Sequence, residues 1–336
     1  MVYNVIKIIL LLLVLLPLPG CKRPGFRMGT LAVETIGNSF PDPNNLGIHG
    51  SWSEKNGILY TCNAGHIDLA HVRKTVDWTA YLTEKSYKNL MKNQKSFSFK
   101  LEEPSIGYVT IDYPDYWYAL EKNKKQKIAH DISIKLSCYL AYTIASWHEI
   151  LTWFGYKATG FYSEFPSAFS WEDSFSNLLG VYVAATALND NGHPFNEAVT
   201  IALDENLERL CVQPSDIARL ACEKMNGQWY SKKIFSVDIK KRNFDIGIDN
   251  GFVEPTIVSS LLPCPCDKEQ MYMAPNLGFQ EEYKFNIKFE IEPRVWEKNK
   301  LLAIAYPDSK IKNKRIEPSR HFSAIMQHIE NDTRSK

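Results

Sequence analysis

The 336 residues carry 39 Lys and Arg against 38 Asp and Glu, a formal net charge of +1. That balance, with no basic stripe, excludes the electrostatic footprint of nucleic-acid binding. Aromatic residues make up 12% of the chain, which implies a substantial core rather than disorder.

The chain opens with a lone Lys7, an unbroken apolar run over 8–16, and then Pro17-Leu18-Pro19-Gly20-Cys21. That run is too short to span a bilayer and reads as an export signal. Leu18-Pro19-Gly20-Cys21 resembles a bacterial lipobox, which implies lipid on Cys21 and a chain held to a membrane at the periplasmic or outer-membrane face of the cell envelope. An ordinary cleaved signal or a short anchor are the alternatives. No second apolar run is long enough to cross a membrane. The expected organisation is signal over 1–20, tether and lead-in over 21–50, and an α+β core over 51–228. A β-rich part packed on the core over 229–310 and a basic, fraying tail over 311–336 complete it.

A strand is expected over 57–62, followed by a turn at Asn63-Ala64-Gly65-His66. Asp68 then caps a helix whose apolar positions Leu69, Val72, Val76, Ala80 and Leu82 recur at helical spacing to about residue 90. His66 and His71 bracket the mouth of that helix; a turn cap and a half-buried surface histidine are their bland readings. Two strands follow, over 96–101 and 107–111. A long helix over 128–154 carries Ile132, Leu136, Leu140, Ile144, Trp147, Leu151 and Phe154 on one side, and Gly155 stops it.

His148 and Thr152 share a face of this helix, while Glu149 is rotated by about 100°. Ser170 opens the next helix with Asp173 three residues on, a capping-box variant, so Glu172 and Asp173 have a dipole role without any metal. Helices over 197–210 and 214–225 precede strands over 234–239, 244–248 and 284–291. Six cysteines remain beyond Cys21, and spacing cannot choose among their 15 connectivities. Cys138 reads as a buried side chain, and Cys264 and Cys266 are not expected to bind metal.

Gly65-His66-Ile67-Asp68 with His71 and Arg73, Trp147-His148-Glu149 with Thr152, and Ser167-Ala168-Phe169-Ser170 with Glu172-Asp173 together resemble an exported bacterial lipoprotein family of unknown function, domain of unknown function 4056. The resemblance covers roughly 57–210 and implies that the three motifs belong to one domain and converge. It brings no established activity. His148-Glu149 followed by Glu172 at the start of a later helix is also similar to the helix pair of thermolysin-like zincins, with Thr152 where the second histidine would stand. That resemblance implies a zinc ion held by His148, Glu172 and one of His66 or His71. Glu149 would be the general base, and Arg73 or a tyrosine would stabilise an oxyanion.

The expected fold class is therefore α+β, a mainly helical core with flanking β segments and a zincin-like helix pair. The expected function is a metal-dependent hydrolase of peptide or amide bonds in the envelope. The alternative is a non-catalytic lipoprotein that binds a peptide or glycan, its His and Glu residues forming a structural network. Metal-free hydrolysis by Ser163 or Ser167 with His148 is a third class, but no nucleophile-elbow pattern supports it.

Overall fold

β1 (Ile58–Thr61) turns back through Asn63 and Ala64 into β2 (Gly65–Asp68), an antiparallel hairpin in which Tyr60 faces His66. His66 therefore lies in a strand, not in the expected turn. The computed structural model describes residues 23–24, 40–157, 165–232, 237–259, 264, 271–307 and 315–334. The export signal with Cys21, Ser163, Cys266 and the first residues of the strand expected over 234–239 lie outside the described residues.

Asp68 ends β2 and caps α1 (Leu69–Met91), its side chain accepting the Ala70 N–H. β3 (Ser96–Lys100) and β4 (Ser105–Asp112) form a second hairpin, with Phe97 and Phe99 alternating inward. β9 (Asn286–Pro293) joins the far side of β4, so a segment near the C-terminal end completes a three-stranded sheet. Phe99 and Phe289 stack across that sheet at 6.1 Å between centroids.

α2 (Lys122–Trp153) starts six residues before the expected 128, because its Lys-rich first turns are exposed and carry no apolar signal. Of its expected stripe, Ile132, Leu136, Leu140, Ile144, Trp147 and Leu151 are buried, while Phe154 lies just past the helix end and is half-buried. α3 (Asp173–Asn189), α4 (Phe195–Arg209) and α5 (Ser215–Met225) follow. The short pairs β5 (Tyr230–Lys232) with β6 (Val237–Ile239), and β7 (Phe252–Val253) with β8 (Tyr272–Met273), lie along the chain after α5.

α6 (Phe279–Tyr283), α7 (Lys298–Ala305) and α8 (Pro318–Arg334) complete eight helices among the described residues, an α+β fold around a helical core. Residues 244–248 form no strand; Asp245 instead accepts the N–H groups of Gly247 and Glu254, which fixes a loop. The described part of the tail does not fray. α8 buries Phe322, Ile325, Met326 and Ile329, and Phe322 stacks on Trp147 of α2 at 6.1 Å. Cys264 is bonded to Cys62 across a Cα–Cα distance of 5.2 Å, which ties the C-terminal segment to the first hairpin.

α1, α2 and α3 pack mutually at the centre, and one residue sets the approach of α1 to α3. A Cβ on Gly180 would lie 1.9 Å from Thr75 Oγ1 and 2.3 Å from the Val72 carbonyl oxygen. The two helices therefore meet backbone to backbone, which brings the first turn of α1 beside the first turn of α3.

Candidate metal centre

Each of three helices contributes one side chain to a common point. His71 stands in the first turn of α1, set by the Asp68 cap. The Asp68 N–H donates to Ser176 Oγ at 2.9 Å, which fastens that helix mouth to α3. Asp173 is the first residue of α3; its Oδ2 accepts the Ser170 N–H at 2.7 Å, and its Oδ1 lies 3.1 Å from His71 Nδ1. Glu149 comes from the last turns of α2, where Oε2 accepts the Phe169 N–H at 2.9 Å.

Ligand atoms of His71, Glu149 and Asp173 all lie within 4.8 Å of one another. Among the described residues this is the only group of three or more His, Cys, Asp and Glu side chains so placed. Tetrahedral ligands about 2.0–2.2 Å from an ion sit roughly 3.3–3.6 Å apart, so the His71–Asp173 spacing already approaches that of two donors sharing a metal. Although close to Asp173, His71 Nδ1 makes no aligned hydrogen bond among the described residues. His71 is 16% exposed, but its Nδ1 is buried, as are Glu149 and Asp173.

The electrostatics show negative charge in excess. Asp68, Glu149 and Asp173 are buried around this one imidazole, and the half-buried Glu172 adds its charge beside Asp173 and Asp68. Burial alone would lower the pKa of His71, but the carboxylates of Asp68 and Asp173 outweigh it and hold the ring up at about 10. Burial, with Asp173 adding repulsion, pushes Glu149 up to about 7 and Glu172 up to about 8. Without a further cation the cluster therefore keeps protons that ordinary carboxyls have lost at neutral pH.

The sign of the resulting pH dependence is fixed. All three groups have folded values above their ordinary ones, 4.5 for the two glutamates and 6.5 for the histidine. The native state therefore binds the extra protons. Stability from the carboxyls is complete below about pH 4.5 and is lost as pH rises through about 7 and 8. That from His71 is lost between about 6.5 and 10. Thermal unfolding in chelator is expected to show a midpoint that falls from pH 5 to pH 8. A midpoint that rises over that interval would contradict this picture of the cluster.

The three motifs do meet, at the expected His71 but at Glu149 and Asp173, the neighbours of the expected His148 and Glu172. His148, rotated away from Glu149 by the helical turn, places Nδ1 2.5 Å from Glu103 Oε1 in the β3–β4 hairpin. Burial and Lys74 lower the pKa of His148, yet the Glu103 carboxylate outweighs them and the net shift is upward. Beside it Lys74 pairs with Glu102 at 2.7 Å. Glu172 accepts the Ser170 hydroxyl at 2.8 Å at the mouth of α3, one position before the cluster's Asp173.

His66 accepts the Trp171 indole N–H at 3.2 Å and sits among the rings of Tyr60, Trp171 and Trp229; burial drives its pKa down to about 3. It is outside the group of three. Arg73 is two positions, about 200°, round α1 from His71. It is 1% exposed and donates to the carbonyls of Leu46 and Lys55, with its Nε 3.7 Å from Glu54. This anchors the lead-in segment, a task that does not suit an oxyanion stabiliser. Thr152, where a zincin has its second histidine, is buried.

The role of Asp173 was concealed by its spacing to Ser170, which does not cap α3: the N-cap is Glu172 and makes no side-chain cap bond, while the Ser170 N–H occupies one of the two Asp173 oxygens. Glu102 and Glu103 were not singled out in the sequence; Glu103 is buried between β3 and β4 against His148. No helix among the described residues is long and apolar enough to cross a membrane. No curated protein and no solved structure matches the chain. A family model described as "Protein of unknown function (DUF4056)" matches residues 30–250, which hold every residue of the cluster, and the chain belongs to that family.

Proposed function

We propose that His71, Glu149 and Asp173 bind a divalent metal ion and that the chain is a metal-dependent hydrolase of peptide or amide bonds in the bacterial cell envelope. The observation that carries the reading is the convergence of one imidazole and two carboxylates, from three different helices, within 4.8 Å. The surplus of buried negative charge supports it, because a cation would satisfy carboxylates that otherwise must stay protonated. One nitrogen and two oxygen donors suit zinc, and equally suit manganese or iron. Such an ion, when bound, lowers the pKa of a water and polarises a carbonyl. In this reading Glu149 is a ligand rather than the free base of the zincin comparison. The sequence supports export and a lipid on Cys21, which would hold the site against an envelope substrate.

A second reading has a specific observation in its favour. Asp68, Glu149 and Asp173 each accept a backbone N–H, from Ala70, Phe169 and Ser170. A cluster of this kind fixes helix ends without any catalysis. The two readings separate in one assay: untagged chain, metal-loaded or chelated, is incubated with a peptide mixture and with acylated amines, and products are read by mass spectrometry. Cleavage by the metal-loaded chain, absent from the chelated chain and from Asp173→Asn, supports the hydrolase. A metal-loaded chain that cleaves neither class contradicts it.

A further inference from the structure

Cys62 has two cysteines beside it. One is Cys264, to which it is bonded. The other is Cys211, exposed and free, at the end of α4. Residues 60–63 and 210–213 run antiparallel. The Cys62 N–H donates to the Cys211 carbonyl at 3.1 Å, Asn63 N–H to Leu210 at 3.2 Å, and Gln213 N–H to Tyr60 at 2.8 Å. Thr61 bridges Val212, so Cys62 stands opposite Cys211. Cys211 stands at the end of α4 in the left-handed conformation, φ 58°, so the bond from the Cys62 N–H to its carbonyl, rather than a regular strand pairing, holds the two backbones together. The Cys211 sulfur accepts from the Gln213 side-chain amide at 3.5 Å, a contact that keeps it beside this ladder.

We propose that Cys211 is a resident exchange thiol that moves the disulfide between Cys62–Cys264 and Cys62–Cys211. The Cys211 thiolate attacks Cys62 Sγ and a Cys62–Cys211 bond forms. The Cys62–Cys264 bond breaks, and Cys264 leaves as a thiolate that takes up the proton Cys211 gave to solvent. One disulfide replaces another, so no oxidant or reductant is consumed.

The exchange has a structural consequence. The segment around Cys264 is held to the first hairpin by that bond, by the Val258 N–H to Tyr60 Oη at 3.2 Å and by the Tyr272 hydroxyl to the Asn63 carbonyl at 3.2 Å. Exchange removes the covalent tether and leaves the hydrogen bonds. The latch sits on the hairpin whose last residue, Asp68, caps the helix of His71. It does not depend on a metal being bound there.

The test uses the full chain, oxidised and free of added reductant, held at about pH 8.5, where an ordinary cysteine is half ionised. Aliquots are quenched in acid over time, labelled with maleimide and mapped by mass spectrometry. The expected result is a growing fraction with Cys264 labelled and Cys62 bonded to Cys211, absent from Cys211→Ser. The Cys264→Ser variant should form Cys62–Cys211 directly. A wild-type chain that keeps Cys62–Cys264 alone with only Cys211 labelled would overturn the proposal. So would a Cys264→Ser variant with Cys62 labelled, or a bond between Cys211 and Cys266.

Discussion

Replacing His71 with alanine is expected to weaken metal binding by at least ~100-fold, the upper end of what even an outer-shell partner costs. The substitution removes the only nitrogen of the cluster and leaves Glu149 and Asp173 facing each other with no cation. The contrast variant is His148→Ala. Its ring is engaged by Glu103 in the β3–β4 hairpin, so affinity should stay within a few-fold of wild type. Competition against a chromophoric chelator measures both. If His148→Ala loses the metal while His71→Ala keeps it, the zincin-like ligand set is restored and the one proposed here is wrong.

Gly180→Ala is expected to destabilise the fold although it replaces a poor helix former with the best one. Propensity alone would give a gain of about 1 kcal/mol in a helix interior. Against it stands a methyl 1.9 Å from Thr75 Oγ1 and 2.3 Å from a backbone oxygen. The hydroxyl can rotate; the Val72 carbonyl cannot, because it belongs to α1. Overpacking of this sort costs about 1–3 kcal/mol, and contact with backbone puts it at the upper end, so the net loss is about 1–2 kcal/mol. That corresponds to a fall of about 2–8 °C in Tm. Metal affinity should fall with it, since Thr75 Oγ1 also donates to the His71 carbonyl and moving α1 off α3 parts His71 from Asp173. A Gly180→Ala protein with raised Tm would show that the helices do not meet as described.

What the sequence made legible follows from the range of each signal. The Asp68 cap, the α1 periodicity and the buried α2 stripe are local patterns, and each appears as expected. The second strand of the first hairpin escaped notice because Gly65-His66-Ile67-Asp68 holds two polar residues, yet all four are buried. His66 Nδ1 is met by Trp171, and Asp68 by Ala70 and Ser176, partners that propensity does not see. The tail was misread for a similar reason: its basic composition hid Phe322, Ile325 and Ile329, which recur at helical spacing onto Trp147.

The site was legible as a meeting of three motifs, but not to the residue. His148 and Glu149 point about 100° apart, and only the position of α1 and α3 decides which faces inward. The Gly180 contact sets how closely α1 approaches α3, and nothing in the spacing of His148 to Glu172 encodes that approach. The covalent link from Cys62 to Cys264 spans 202 residues and was equally beyond local pattern.

Elemental analysis of the untagged protein, dialysed against zinc, manganese and iron(II) in turn and freed of excess, tests the central claim most directly. The account predicts about one equivalent of metal per chain in wild type, retained in His148→Ala and lost in both His71→Ala and Asp173→Asn. Wild-type protein that remains metal-free after all three ions are offered at neutral pH would contradict it, and the cluster would then be a proton-sharing brace between helices.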